Sequence, residues 1–190
     1  MAEDASLVSV TRGRAIYLIY RGLGVGMQRL PESLAGASAT VVAQALVGFR
    51  RDARTMYARH LARVFGRPLS QREARAWAKR AFRNYARYWF EGARLPDVPS
   101  QVVLDRLTVE SGYEYLVEHM AAGRGVVMAL PHVGTWEWGG AWLALKGYPM
   151  TTVAELVEPR ALYDWFVAQR EAMGLSIVPM EPGVGGTLLR

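Results

Sequence analysis

VVMALPHVGTWEWGGAWLA, residues 126–144, opens with five apolar residues in a row, Val126 to Leu130, ahead of a proline. An uninterrupted apolar run of this kind predicts a strand buried on both faces, as parallel sheets contain. Pro131 has no N–H to give to a ladder, so the strand is expected to end there. His132 then falls on the turn, Gly134 permits a tight path, and Thr135 is placed to cap a helix begun by Trp136, Glu137 and Trp138. Open α/β sheets place their chemistry at the carboxyl end of such a strand, facing the start of a helix.

His132 and Glu137 form an H-x4-E pattern. On one continuous helix this spacing is about 500° of rotation, which puts the two side chains on different faces. With His132 on the turn and Glu137 inside the helix, they converge instead. A carboxylate on one imidazole nitrogen fixes the tautomer and supports the imidazolium, and the other nitrogen is then a base. The pattern by itself also fits a histidine satisfied by a backbone carbonyl beside a surface glutamate. The strand, proline, turn and helix around it favour the base.

LPHVGTWEWGGAWL (130–143) followed by TTVAELVEPRALYDWFVAQREAMGLSIVPM (151–180) resembles the bacterial lysophospholipid acyltransferase group that acylates glycolipids. The resemblance is closest to the phosphatidylinositol mannoside acyltransferases of actinobacteria and more distant to the lipid A late acyltransferases. It takes in AFRNYARYWFEGARLP (81–96) and so covers most of the chain.

The length of 190 residues is enough for one domain with a sizeable core. With no cysteine there is no thiol nucleophile, disulfide or Cys-based zinc site. The three histidines, His60, His119 and His132, are too scattered for a metal site, and no metal or cofactor is expected. The net charge of +6 is unevenly placed, with +10 in residues 1–100 and −4 in residues 101–190. Arginine supplies nearly all of the basic excess, and arginine binds phosphate bidentately, so the partner of the first half is anionic: lipid headgroups or nucleic acid.

No signal peptide is read at the N-terminus, where Glu3 and Asp4 precede the first apolar run. Residues 7–30 mix apolar and aromatic side chains with Arg12, Arg14, Arg21 and Arg29. Two readings are open: a helix lying in a membrane interface, or an amphipathic helix packed on its own domain. Residues 33–49 carry no charge but are too short to span a bilayer. A helix is expected over 50–65, ended by Gly66-Arg67-Pro68, and Ser70 with Glu73 forms a capping box for the next, which runs to about Glu91. Gly22 to Gly26 lacks the strand and acidic partner of a dinucleotide loop.

Leu95 to Pro99 marks the passage from a basic, helix-rich, membrane-facing subregion (1–96) to the first part of an α/β core (97–190), the two forming one continuous domain. A strand-like piece is expected within Val102 to Glu110 (LTVE), helices over 113–122, 138–145 and 159–173, and further parallel strands over 151–154 and 175–179. Strands alternating with helices argue an α/β fold with a parallel or mixed sheet flanked by helices. EPGVGG (181–186) reads as a linker or the approach to another helix, and GTLLR (186–190) as the start of that helix.

The resemblance implies acyl transfer from a long-chain acyl-CoA co-substrate to a sugar hydroxyl of a phosphatidylinositol mannoside, at the cytoplasmic membrane face by a peripheral enzyme. His132 would take the hydroxyl proton, with Glu137 holding the imidazole. Backbone N–H groups near Gly134 would stabilise the oxyanion. Carried over by the family match, Arg83 and Tyr85 would touch the headgroup or acyl donor, and Glu155 and Arg170 would be polar groove residues. Arg170 could hold a phosphate or a carboxylate, with Glu155 as that partner, or the two could be a structural pair. Arg87 and Glu91 would brace their helix. Trp136, Trp138, Trp142 and Leu143 would line an acyl groove or form core. Family members continue well beyond the position of Arg190 and add a second acidic residue there. This chain is therefore expected to be an N-terminal portion that is unstable or inactive alone. Acylation of another glycolipid such as a lipid A precursor is the alternative within the class. A non-catalytic basic module binding nucleic acid through residues 50–94 is the alternative outside it, and the acidic second half argues against it. No G-x-S-x-G motif for a serine esterase occurs.

Overall fold

The structure is a computed structural model that describes residues 2–131 and 133–188. It divides into two compact units, Arg21–Arg94 and a second made of Met1–Tyr20 with Leu95–Arg190. Helix α1 (Ala2–Arg29) passes from one to the other.

The helical unit is built on α2 (Glu32–Phe49), α3 (Arg51–Phe65) and α4 (Gln71–Arg94). Both α2 and α3 pack on α4, which buries Ala78 and Phe90, while α2 buries Ala43. The end of α3 is a Schellman motif: Gly66, at φ +65°, donates to Arg63 O, and Arg67 N–H reaches back to Ala62 O at 3.1 Å. The expected capping box then opens α4. Glu73 N–H donates to Ser70 Oγ (3.3 Å), and Ser70 N–H donates to Glu73 Oε2 (3.0 Å). Arg67 adds its guanidinium to Glu73 at 2.6 Å, so the same few residues stop one helix and start the next. These bonds hold the Glu73 carboxyl down at about 2, the Arg67 hydrogen bond first and the Ser70 bonds after it. As expected, Arg87 and Glu91 brace α4 as an i,i+4 pair, with Arg87 Nε 2.5 Å from Glu91 Oε1.

The second unit is the α/β part. It holds α5 (Ser100–Arg106), α6 (Tyr113–Ala121), α7 (Trp136–Leu145), β1 (Met150–Ala154), α8 (Arg160–Glu171), β2 (Leu175–Pro179) and α9 (Val184–Leu188). β1 and β2 pair in parallel, Met150 opposite Leu175 and Ala154 opposite Pro179, with α8 as the crossover. The α/β class and both of these strands agree with the sequence reading. Leu95, Val103, Ala141, Trp142 and Leu143 form the buried core, joined by Tyr113, Trp138, Tyr148 and Met150. Tyr113 meets the rings of Trp142 and Tyr148 edge-on, at 5.4 and 6.2 Å.

Two expected strands are absent. Val126 to Leu130 forms no strand and is exposed, with Val127 fully so. A strand needs a neighbour for its N–H and C=O groups, and among the described residues β1 and β2 pair only with each other. An apolar run cannot supply that neighbour. Of the span 102–110, residues up to Arg106 belong to α5, and 107–110 carry no regular structure. Pro99 accepts from Val102 and Val103 and so starts a helix, whose Val103 and Leu104, together with Leu107, face the core at helical rather than alternating spacing.

α7 lies close against the sheet. A Cβ on Gly140 would sit 2.9 Å from both Leu175 Cδ2 and Met150 Cε, and one on Gly174 would meet Ala144 Cβ at 2.9 Å. Gly174 also has φ +85°, where an L side chain is strained. Gly174→Ala is therefore expected to destabilise the protein by about 2 kcal/mol, from backbone strain and overpacking together, read as a fall in the urea midpoint at unchanged slope. Glu73 gives a pH signature. Its folded value near 2 lies below the usual carboxylate value, so its contribution is complete above about pH 4.5 and is lost as pH falls through 2. A carbon-detected titration of the Glu73 carboxyl should show a midpoint near 2 in the wild type and move up in Arg67→Gln. An unshifted midpoint in that variant would exclude the Arg67 contribution.

Candidate active site

The turn from Pro131 to Thr135 delivers the chain to α7. Val133 N–H donates to Pro131 O at 2.8 Å, and Gly134 adopts φ +70°. His132 lies outside the described residues. Thr135 occupies the N-cap as expected, but it makes no side-chain capping bond. The first turn is closed instead by Trp138 N–H donating to Thr135 O at 3.0 Å.

In the first turn of α7, Glu137 is the one buried charged residue among those described, 5% exposed. Its Oε1 accepts from Arg170 Nη2 at 2.9 Å, an ion pair that joins the head of α7 to the last turn of α8. Arg170 is fixed further by donating through Nη1 to Phe166 O at 3.2 Å. Its guanidinium also lies over the rings of Trp136 (5.4 Å) and Phe166 (5.6 Å). A charge-assisted hydrogen bond under such cover is stronger than a neutral one. On either side of the pair, Trp138 Nε1 and Gln169 Oε1 are buried with no hydrogen-bond partner among the described residues.

This arrangement changes the partner assigned to Arg170. Glu155 follows β1 and is exposed, with no ion pair among the described residues, so the carboxylate held by Arg170 is Glu137. Neither neighbouring alternative turns inward: Glu158 is exposed, and Arg160 pairs with Asp164 at 2.8 Å on the surface of α8. Trp142 and Leu143 belong to the core rather than to a groove, whereas Trp136 is half-buried beneath Arg170. Arg83 and Tyr85 lie on α4 in the helical unit, both exposed; Tyr85 stacks on Tyr88 (6.3 Å) and meets Trp89 edge-on (6.0 Å). The sequence reading missed the aromatic cover of Arg170. Its signal was Phe166, four residues earlier on the same helix face.

Among the described residues no three His, Asp or Glu side chains gather as a metal site. His119 Nδ1 accepts from Arg124 Nε at 3.0 Å, which gives that histidine a structural partner.

A family model for bacterial lipid A biosynthesis acyltransferases matches residues 4–188. The chain belongs to this family. It is 39% identical over 125 residues to a phosphatidylinositol mannoside acyltransferase of Mycolicibacterium smegmatis, covering 66% of this chain and 40% of that protein. It is 40% identical over 101 residues to the protein of the same description in Mycobacterium tuberculosis, covering 53% of this chain and 32% of that protein. The matched part thus spans two fifths or less of the length of these relatives. The resemblance read from the quoted motifs is borne out.

Removing one partner of a mostly buried pair leaves the other charge uncompensated. Arg170→Met is expected to destabilise the protein by about 3 kcal/mol. In a double-mutant cycle by urea denaturation, Arg170→Met and Glu137→Gln should couple by more than about 1 kcal/mol; additivity would show that the two side chains do not act together.

Proposed function

We propose that this protein takes part in transferring a long-chain acyl group from acyl-CoA to a sugar hydroxyl of a glycolipid, a phosphatidylinositol mannoside, at the cytoplasmic face of the membrane. The observation that carries this reading is the buried Glu137–Arg170 pair at the head of α7, five residues beyond His132, in a chain whose family match runs through it. In the proposed reaction His132 removes the proton of the acceptor hydroxyl. The resulting oxygen attacks the thioester carbonyl, the new C–O bond forms, and the C–S bond breaks. The imidazolium returns its proton to the departing thiolate. No acyl-enzyme is needed, in keeping with a chain that lacks cysteine.

Glu137 is assigned the support of the imidazolium. Arg170, by engaging Oε1, fixes where that carboxylate stands. Backbone N–H groups near Gly134, at the start of α7, are proposed to stabilise the oxyanion. Arg83, Tyr85 and Glu155 are proposed as contacts to the headgroup or donor, which suits their exposure. Peripheral attachment to an anionic membrane surface is proposed through α1, where exposed Leu18, Ile19 and Leu23 interleave with exposed Arg14 and Arg21. Among the described residues no helix is long and apolar enough to cross a membrane. The family description favours one second reading, a lipid A precursor as the acceptor.

Release of coenzyme A from palmitoyl-CoA, followed with and without a mannosylated inositol lipid, tests the proposal. Acceptor-dependent release that falls at least about 100-fold in His132→Ala is the expected result. Release independent of any acceptor would make the protein a thioesterase. Turnover with a lipid A precursor alone would select the second reading.

A further inference from the structure

The helical unit, residues 21–94, contains 15 Lys and Arg against 4 Asp and Glu. Three of those acids are engaged: Asp52 lies 3.8 Å from Arg50, Glu73 2.6 Å from Arg67, and Glu91 2.5 Å from Arg87. None of these six residues lines the open groove of about 820 Å³ between α3 and α4. The groove is lined by Arg72, Arg75 and Lys79 from α4 and by Arg54 and Thr55 from α3, with no acidic side chain. At spacings of three and four, Arg72, Arg75 and Lys79 form one stripe along α4. Among the described residues none of these three takes part in an ion pair. Ala58, Ala74 and Ala76 leave the space between the cations unfilled. The N-terminal turn of α4, at Gln71 and Arg72, adds its partial positive charge.

Like charges crowded along one groove raise the free energy of the empty protein, and a multivalent anion relieves it. Arginine forks match phosphate oxygens two at a time, and Lys79 supplies a point charge beside them. The volume falls in the range of small-ligand clefts, about 300–1,000 Å³, and is too large for a single phosphate. We propose that the α3–α4 groove is a binding site for a phosphate-rich polyanion carrying two or more phosphoryl charges. It is separate from the Glu137–Arg170 site and does not rest on the acyl-transfer reading. The chemistry is shared by a soluble diphosphate and by the phosphorylated headgroups of anionic lipids, and the test separates these sources.

Inorganic pyrophosphate would be titrated calorimetrically into the wild type, into Arg72→Gln/Lys79→Gln, and into Arg59→Gln/Arg63→Gln. The last pair removes the same charge from exposed positions of α3 outside the groove. Circular dichroism would confirm that all three are folded. The groove variant should lose at least about ten-fold in affinity, and the control should stay within about two-fold. Co-sedimentation with vesicles of phosphatidylinositol 4-phosphate in phosphatidylcholine, with and without pyrophosphate, then assigns the source. Pyrophosphate displacing the wild type from vesicles supports a lipid headgroup in the groove. Pyrophosphate binding without such displacement supports a soluble ligand. Equal losses in both variants, or no binding of either probe, would overturn the proposal.

Discussion

The Glu137–Arg170 bridge fixes the geometry of the α/β unit at its most demanding point. Two charges sit mostly out of water, and each is tolerated only because the other is within 2.9 Å. The aromatic rings of Trp136 and Phe166 cover the guanidinium from two different helices, α7 and α8. Since α8 is the crossover between β1 and β2, anchoring it to α7 ties the Pro131–Thr135 turn to the sheet. That anchorage in turn depends on backbone clearance. Gly140 and Gly174 let α7 approach β2 and the turn before it to a distance no larger residue permits without a shift.

Features legible in the sequence are those whose causes are local. Ser70 and Glu73 made their reciprocal cap because the spacing alone brings the groups together. Thr151 to Ala154 and Leu175 to Pro179 became strands because the intervening helix folds them into a parallel pair. Val126 to Leu130 was also read as a strand, yet pairing is a property of two segments and apolarity of only one. LTVE (107–110) suggested a strand within Val102 to Glu110, and Pro99 with the core-facing spacing of Val103, Leu104 and Leu107 favoured a helix over 100–106 and left 107–110 irregular. Arg170 and Glu137 were both picked out, but the family match suggested Glu155 as the arginine's partner. The actual partner is 33 residues away. Buried pairs are chosen by the packing of helices, which sequence distance does not report.

The two units contrast in their use of charge. The α/β unit buries a carboxylate and spends an arginine on holding it. The helical unit places arginines on its surface and buries small or aromatic side chains such as Ala78 and Phe90. Glu73 closes a helix end and Glu91 braces a helix, and neither neutralises the groove.

Val126 to Leu130 has one more consequence. An uncharged, apolar run with Val127 fully exposed presents backbone N–H and C=O groups that have no partner among the described residues, beside side chains that avoid water. Such a segment is a template for strand addition, and it carries none of the gatekeeping lysines or prolines within the run that blunt natural edges. Pro131 shields only its end. Exposed in this way, the five residues favour self-association that grows with concentration and proceeds by β-strand pairing.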